Sequence, residues 1–285
     1  MLQQAIDFRE ECDALYEILQ PLSDADWERK GQFKDWTINE IMQHLHYWNY
    51  GADLSLNDEA AFAQLMTDLG DIRKSGEDHR RFVERRLNGA KGAELLALWR
   101  DYYNVLADHF QDQDPKKRVK WAGPDMSVRS SMTARLMETW SHAQAIYDLL
   151  GLVRKDADRI KNIVVIGINT FGWTFANRGM DVPESMPHVR LTAPSGAIWE
   201  WGDALGTERI QGDAVAFCQV VTQVRNIADT DLDVTGTIAT DWMAMAQCFA
   251  GGPEDPPKPG TRFVQKPGTR LAQKPGTRLA QKKAS

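Results

Sequence analysis

The sequence has little cysteine, no long apolar run and no excess of basic charge, and each shortage excludes a class of protein. Cys12, Cys218 and Cys248 are three in 285 residues, far apart and in no CxxC or CxxxCxxC pattern. They cannot make a disulfide framework, and a reducing compartment is the simplest reading. The longest apolar run, Ile163 to Ile168, is far too short to span a bilayer, and the N-terminal MLQQAIDFREEC is charged from its seventh residue with no apolar signal core. These features predict a soluble, cytoplasmic chain without a membrane partner. The formal net charge is −6, and eight of the 34 basic residues lie in 258–285, where no acidic residue occurs. The body therefore carries 26 basic against 40 acidic side chains, near −14, and the tail +8. An acidic body argues against duplex nucleic acid, because phosphate binding needs clustered Lys and Arg.

What is present is a globular composition, 42% hydrophobic and 26% charged, long enough for one large domain or two ordinary ones. The first half has helical periodicity. Leu2, Ile6, Phe8, Cys12, Leu15, Ile18 and Leu19 recur at three- and four-residue steps up to Pro21, and Ser23-Asp24-Ala25-Asp26 reads as a short capped turn. Thr37 and Glu40 have capping-box spacing before Ile38, Ile41, Met42, Leu45 and Trp48, in a helix reaching toward Leu56. Further long helices are expected over Ala93 to Phe110 and about Met132 to Leu150, the last stopped by Gly151. Four long helices joined by loops predict a bundle over residues 1–155.

From residue 156 to 253 the pattern changes to a small α+β domain. A helix is expected over Ile160 to Ala176, then a hairpin of His188 to Thr192 and Ile198 to Trp201 around Ala193-Pro194-Ser195-Gly196-Ala197. Helices at Gly212 to Gln223 and Ala239 to Phe249 flank a short strand at Leu232 to Gly236. Residues 254–285 read as a flexible basic tail, since the octapeptide KPGTR[FL][VA]Q occurs three times from Lys258 and its Pro-Gly defeats helix and strand alike. The fold class is thus α+β: a helical bundle, a small α+β domain and a tail.

The chemistry concentrates on three residues. Glu138 and His142, four apart on one helix, share a face one turn apart and form a pair able to chelate a metal ion. His44 goes with the apolar face of its helix, one residue before Leu45, whereas His46 points away. Two imidazoles and one carboxylate make the ligand set of a catalytic zinc site with a fourth position open. A helical Glu-x3-His also arises by chance, and a lone His on an apolar face is commonly a hydrogen-bonded core residue.

Asp35-Trp36-Thr37 through His44-Leu45, with Glu138-Thr139-Trp140-Ser141-His142 and Asp148-Leu149-Leu150-Gly151, resembles the two signature segments of the DinB-like superfamily. Within it, Glu138-x3-His142 is similar to the metal-binding N-terminal domain of the mycothiol-dependent maleylpyruvate isomerases, where many DinB-like proteins carry His-x3-His. The resemblance covers about residues 1–150 and implies a DinB-like four-helix bundle with a divalent metal, zinc first and nickel or iron as alternatives, on His44, Glu138 and His142. In the second half, VRLTAPSGAIWEWGD, ERIQGDAVAFCQVVTQVRN and GTIATDWMAMAQCFAGGP look like the small domain that follows the bundle in that family, which is similar to a domain of wyosine-forming enzymes and to SCP2-like domains. By the same resemblance Arg225 is the counterpart of an arginine important for activity. Its other reading is a surface cation at a helix end.

Trp199 and Trp201 share one side of their strand, where packing against a helix is the plainer role, and Ser195 has no His-Asp partners in the sequence. The family resemblance, with the three-ligand set, implies an isomerase or transferase using a divalent metal and a small thiol such as mycothiol on a small acidic or electrophilic substrate. Arg225 would hold a substrate carboxylate in that scheme. The chain would be a monomer or homodimer. A non-catalytic, metal-stabilised ligand-binding module and a metal-dependent hydrolase remain the alternatives.

Overall fold

The computed structural model describes residues 1–266. All of the third repeat unit and most of the second lie outside the described residues. Helix α1 (Gln3–Leu19) buries one stripe, Phe8, Cys12, Leu15 and Leu19. A short α2 (Asp24–Trp27) follows, with the Ser23 amide donating to Asp26 Oδ2 at 3.1 Å. The expected capping box opens α3 (Ile38–Asn57): the Glu40 amide donates to Thr37 Oγ1 at 3.1 Å, and the Thr37 amide to Glu40 Oε2 at 2.7 Å. Then come α4 (Glu59–Ser75), α5 (His79–Arg86) and α6 (Gly92–Gln111). A two-residue pairing of β1 (Arg118–Val119) with β2 (Met126–Ser127) leads into α7 (Val128–Leu150), which ends on left-handed Gly151.

The bundle consists of α1, α3, α6 and α7, with α1 and α3 each packed against both α6 and α7. Helices α4 and α5 have no counterpart in the sequence analysis, although α4 carries Phe62, Leu65, Met66, Leu69 and Ile72 at helical spacing. Phe62, Leu65, Phe82 and Val83 form a satellite cluster with Tyr47 on the second side of α3, and Met66, Leu69 and Ile72 pack against it.

In the second half the helix expected over Ile160 to Ala176 is two helices, α8 (Lys161–Asn169) and α9 (Phe171–Asn177). The break falls at Thr170, whose hydroxyl donates to the carbonyls of Ile166 and Gly167 at 2.8 and 3.0 Å. The hairpin has the expected bounds, β3 (His188–Thr192) and β4 (Ile198–Trp201). Strand β5 (Arg209–Asp213) runs parallel to β3 and takes up the Gly212 and Asp213 that periodicity assigned to a helix, so α10 is shorter (Ala214–Val221). After β6 (Asp233–Thr235) and α11 (Thr237–Met245) the sheet order is β4-β3-β5-β6. Helices α8 and α10 cross closely at Gly167, where a Cβ would meet Val221 and Phe217 at 3.0 to 3.1 Å.

The main core runs without interruption from the bundle into the sheet, through Ile146 and Leu149 to Ile160, Val164, Leu191 and Phe217. The connection is also pinned by polar bonds. Buried Glu11 of α1 pairs with Arg154 and, at 2.6 Å, with Arg159, while the Trp140 indole donates to Asp156 at 2.7 Å.

The tail expected to start at residue 254 begins with a docked strap. Lys34 pairs with Glu254 at 2.7 Å, Asn226 donates to the Pro257 carbonyl at 2.9 Å, and the Phe263 amide donates to Gln32 at 2.8 Å. Gln265 is buried, and its amide donates to the Asp148 carbonyl at 2.8 Å. Pro-Gly does keep this segment out of helix and strand, but its backbone donors find partners on the folded body instead. Among the described residues no helix is long and apolar enough to cross a membrane.

Candidate functional site

Capping at Thr37 sets the start of α3 and so the face that His44 presents; α7 presents Glu138 and His142 one turn apart. The three side chains meet. His44 Nε2 lies 3.2 Å and His142 Nε2 3.3 Å from the same oxygen, Glu138 Oε2, and the two imidazole centroids are 4.6 Å apart. Among the described residues these three form the cluster whose donor atoms all lie within 4.8 Å of one another. Ligands held at about 2.0 to 2.1 Å around a tetrahedral ion stand roughly 3.4 Å apart, so the observed spacing fits one divalent ion with little movement.

The frame around the cluster is aromatic. Trp36 stacks on His142 at 5.9 Å and meets His44 at 5.6 Å, while Phe33 stands edge-on to His142 at 5.0 Å. Both rings come from a tight loop in which Lys34 and Asp35 take left-handed backbone angles, φ 50° and 56°. Residues with a Cβ adopt this region at a cost of roughly 1–2 kcal/mol each. The loop places Phe33 and Trp36 against the histidines.

Burial, reinforced by the neighbouring His142, pushes the pKa of His44 down to about 4 despite the attraction of Glu138. His44 is therefore neutral at neutral pH. Burial opposes the charge of Glu138, but hydrogen bonds from His142 and His44 outweigh it and hold the carboxyl well below the usual range. Two imidazoles with an ionised carboxylate are the donor chemistry that a borderline-soft divalent ion prefers.

The cluster lies at the side of a cavity of about 230 Å³ between the bundle and the second half, lined also by Asp148, Gln223, Arg225, Phe249, Glu254 and Arg262. Arg225, just beyond α10, is buried in this wall, which overturns the reading of it as a surface helix-end cation. Its Nη2 and Nη1 donate to Asp148 Oδ1 and Oδ2 at 2.7 and 2.8 Å, and Nη1 also reaches the Val224 carbonyl. The bidentate edge expected to take a substrate carboxylate is thus held by a carboxylate of α7.

His46 lies apart from the cluster, but not in solvent. It packs edge-on against Tyr102 of α6 at 5.5 Å, and burial pushes its pKa to about 4. Trp199 is buried against the core under the Lys161 ammonium. Ser195 donates to Asp158 at 2.6 Å and so fixes its turn. All three cysteines are free thiols buried in the interior.

The family model of the mycothiol maleylpyruvate isomerase N-terminal domain matches residues 8–147. Two uncharacterised proteins of Mycobacterium tuberculosis, from strains CDC 1551 / Oshkosh and ATCC 25618 / H37Rv, are each 33% identical over 247 residues, which is 87% of this chain and 95% of theirs. The chain belongs to the mycothiol maleylpyruvate isomerase N-terminal domain family. The matched span includes His44, Glu138 and His142. Two crystal structures, of the mycothiol-dependent maleylpyruvate isomerase and of a histidine-to-alanine mutant of it, align at a TM-score of 0.49 with 14% and 13% identity. Each alignment covers 76% of this chain and 87% of the other.

Sequence reasoning missed Phe33, Asp148 and Arg262 as parts of this site. Asp148 had a signal: an acid between Tyr147 and Leu149, in an otherwise apolar helix end, needs a partner when buried. Arg262 had none of its own, since KPGTR is the same in all three units and the first differs only in carrying Phe263-Val264 where the others have Leu-Ala.

Proposed function

We propose that this protein holds one divalent metal ion on His44, Glu138 and His142 and uses it with a small thiol, such as mycothiol, to isomerise or transfer onto a small acidic or electrophilic substrate. The observation that carries this reading is the convergence of the two Nε2 atoms on Glu138 Oε2 beside a cavity of about 230 Å³. A divalent ion with three protein ligands keeps a position open and lowers the pKa of a thiol that binds there, so that thiolate is available at neutral pH.

The chain's own residues do the rest. Glu138 and the two imidazoles fix the ligand set, and Trp36 and Phe33 restrict how far His142 can turn. Arg225, through Asp148, ties the second half to the helix that carries two of the ligands. The nucleophile must come from outside, because burial raises the pKa of each of the three protein thiols. Zinc suits the ligand set, and nickel or iron fits it too.

Calorimetric titration of the metal-loaded protein with mycothiol, in buffers of different ionisation enthalpy, tests the reading. Thiolate coordination releases a proton, so the observed heat should vary with the buffer. Buffer-independent heat, or equal affinity in the metal-free protein, would reject the thiol chemistry and favour a binding module. Turnover that proceeds without thiol would favour a hydrolase.

A further inference from the structure

The ionised side chains around the cavity are three cations, Lys34, Arg225 and Arg262, and three acids, Glu138, Asp148 and Glu254. Lys34 pairs with Glu254 at 2.7 Å and Arg225 with Asp148 at 2.7 Å, while Glu138 serves the two histidines. Arg262 makes no ion pair among the described residues. Its Nη1 donates to the Gln223 carbonyl at 2.7 Å, and its guanidinium lies 5.0 Å from the Phe33 ring centroid. A guanidinium has five N–H donors and stays charged at any pH the protein meets, so most of the recognition capacity of Arg262 is open. Phe33 is also 5.0 Å from the His142 ring, so Arg262 and the ligand cluster stand at most about 10 Å apart across one aromatic wall.

We propose that Arg262, brought into the cavity by the docked first repeat unit, binds the carboxylate of a small carboxylic acid substrate and turns its electrophilic carbon toward His44, Glu138 and His142. The assignment rests on the metal reading above for the chemistry but not for the carboxylate contact itself. With Arg225 neutralised by Asp148 and Lys34 by Glu254, Arg262 is the cation of this wall left without an ion pair among the described residues. A planar fork suits a carboxylate better than an ammonium does, which makes this a specificity-determining residue and not a source of general positive potential. The strap thereby joins two tasks, since the Gln265 backbone amide holds the Asp148 carbonyl while Arg262 lines the cavity.

The test uses metal-loaded full-length protein, with succinate and its neutral diamide as probes and isothermal titration as the readout. Succinate should bind and the diamide should not. Arg262→Gln should weaken succinate by about tenfold or more, as expected for charge-assisted hydrogen bonds, and Arg262→Lys should recover part of the loss. Metal content by elemental analysis should be unchanged in both. Arg270 and Arg278 occupy the same place in the later repeat units, so a triple Arg→Gln variant closes the route of substitution by a neighbour. Wild-type succinate affinity in the triple variant, or failure of the wild type to prefer succinate over the diamide, overturns the proposal. So does a loss confined to mycothiol binding, which would place the carboxylate on the thiol cofactor, or an equal loss in Arg262→Lys together with lost metal, which would make the residue structural. The metal reading fails on a different measurement, the absence of metal from the wild-type chain. The succinate titration repeated on metal-free protein should still depend on Arg262.

Discussion

The guanidinium of Arg225 lies against the carboxylate of Asp148 in a two-bond pair, at 2.7 and 2.8 Å, with about a tenth or less of either side chain exposed. Asp148 stands six residues after His142 on α7, so the second half of the chain grips the same helix that bears two of the proposed ligands. The arginine that the family resemblance marks as important for activity is therefore first a clamp between the two halves.

This pair should be costly to break from one side. Arg225→Gln strands a buried carboxylate and Asp148→Asn a buried guanidinium, and each should lose about 3–5 kcal/mol in urea denaturation. The double variant should lose clearly less than the sum of the two. Full additivity would mean that the pair is not formed in solution.

The ligand assignment predicts a sharp contrast between two histidines on one helix. His44→Ala and His142→Ala should abolish stoichiometric metal in the purified protein, and His46→Ala should retain it, because His46 packs against Tyr102. Elemental analysis decides; equal retention in all three variants would remove the site.

The thiols should be inert in the folded protein. Burial raises the pKa of Cys12, Cys218 and Cys248, and all three side chains are inaccessible. At pH 8 a chromogenic disulfide reagent should count no thiol in the native chain and three after denaturation.

Truncation after Pro257 should leave a folded protein with a lower melting temperature, not an unchanged one. Removal of the strap exposes the Asp148 region and takes away the contacts of Arg262, Phe263 and Gln265. A loss of about 1–3 kcal/mol corresponds to roughly 2 to 10 °C in a chain of this length. Scanning fluorimetry at fixed metal concentration measures it, and identical melting would show that the strap is not docked in solution.

Much of the bundle and half of the candidate site are legible in local pattern. The spacing of Thr37 and Glu40 starts α3, Gly151 stops α7, and the four-residue step from Glu138 to His142 places both on one face, since helix geometry alone relates neighbours one turn apart. The hairpin of His188 to Thr192 with Ile198 to Trp201 is equally local, because its alternation and turn lie within fourteen residues. The spacing of Phe62, Leu65, Met66, Leu69 and Ile72 in α4 is helical too, and only the fold shows that this stripe packs on the far side of α3 and not into the main core.

The meeting of His44 with Glu138 spans 94 residues, and the family likeness suggested it where spacing by itself could not. Tertiary structure alone decided the fate of the charges. Nothing local to Arg225 says that Asp148 neutralises it, and nothing in KPGTR separates the first unit from its two successors. Those outcomes depend on which carboxylates and cations the packed core brings within 3 Å of each other, and on which backbone donors of the strap find acceptors on the folded body. Local sequence thus determined the helices and the faces they present, because backbone geometry and burial act over one or two turns. The pairing of charges across the cavity was decided by the assembled fold, because ion pairs act between surfaces that only folding brings together.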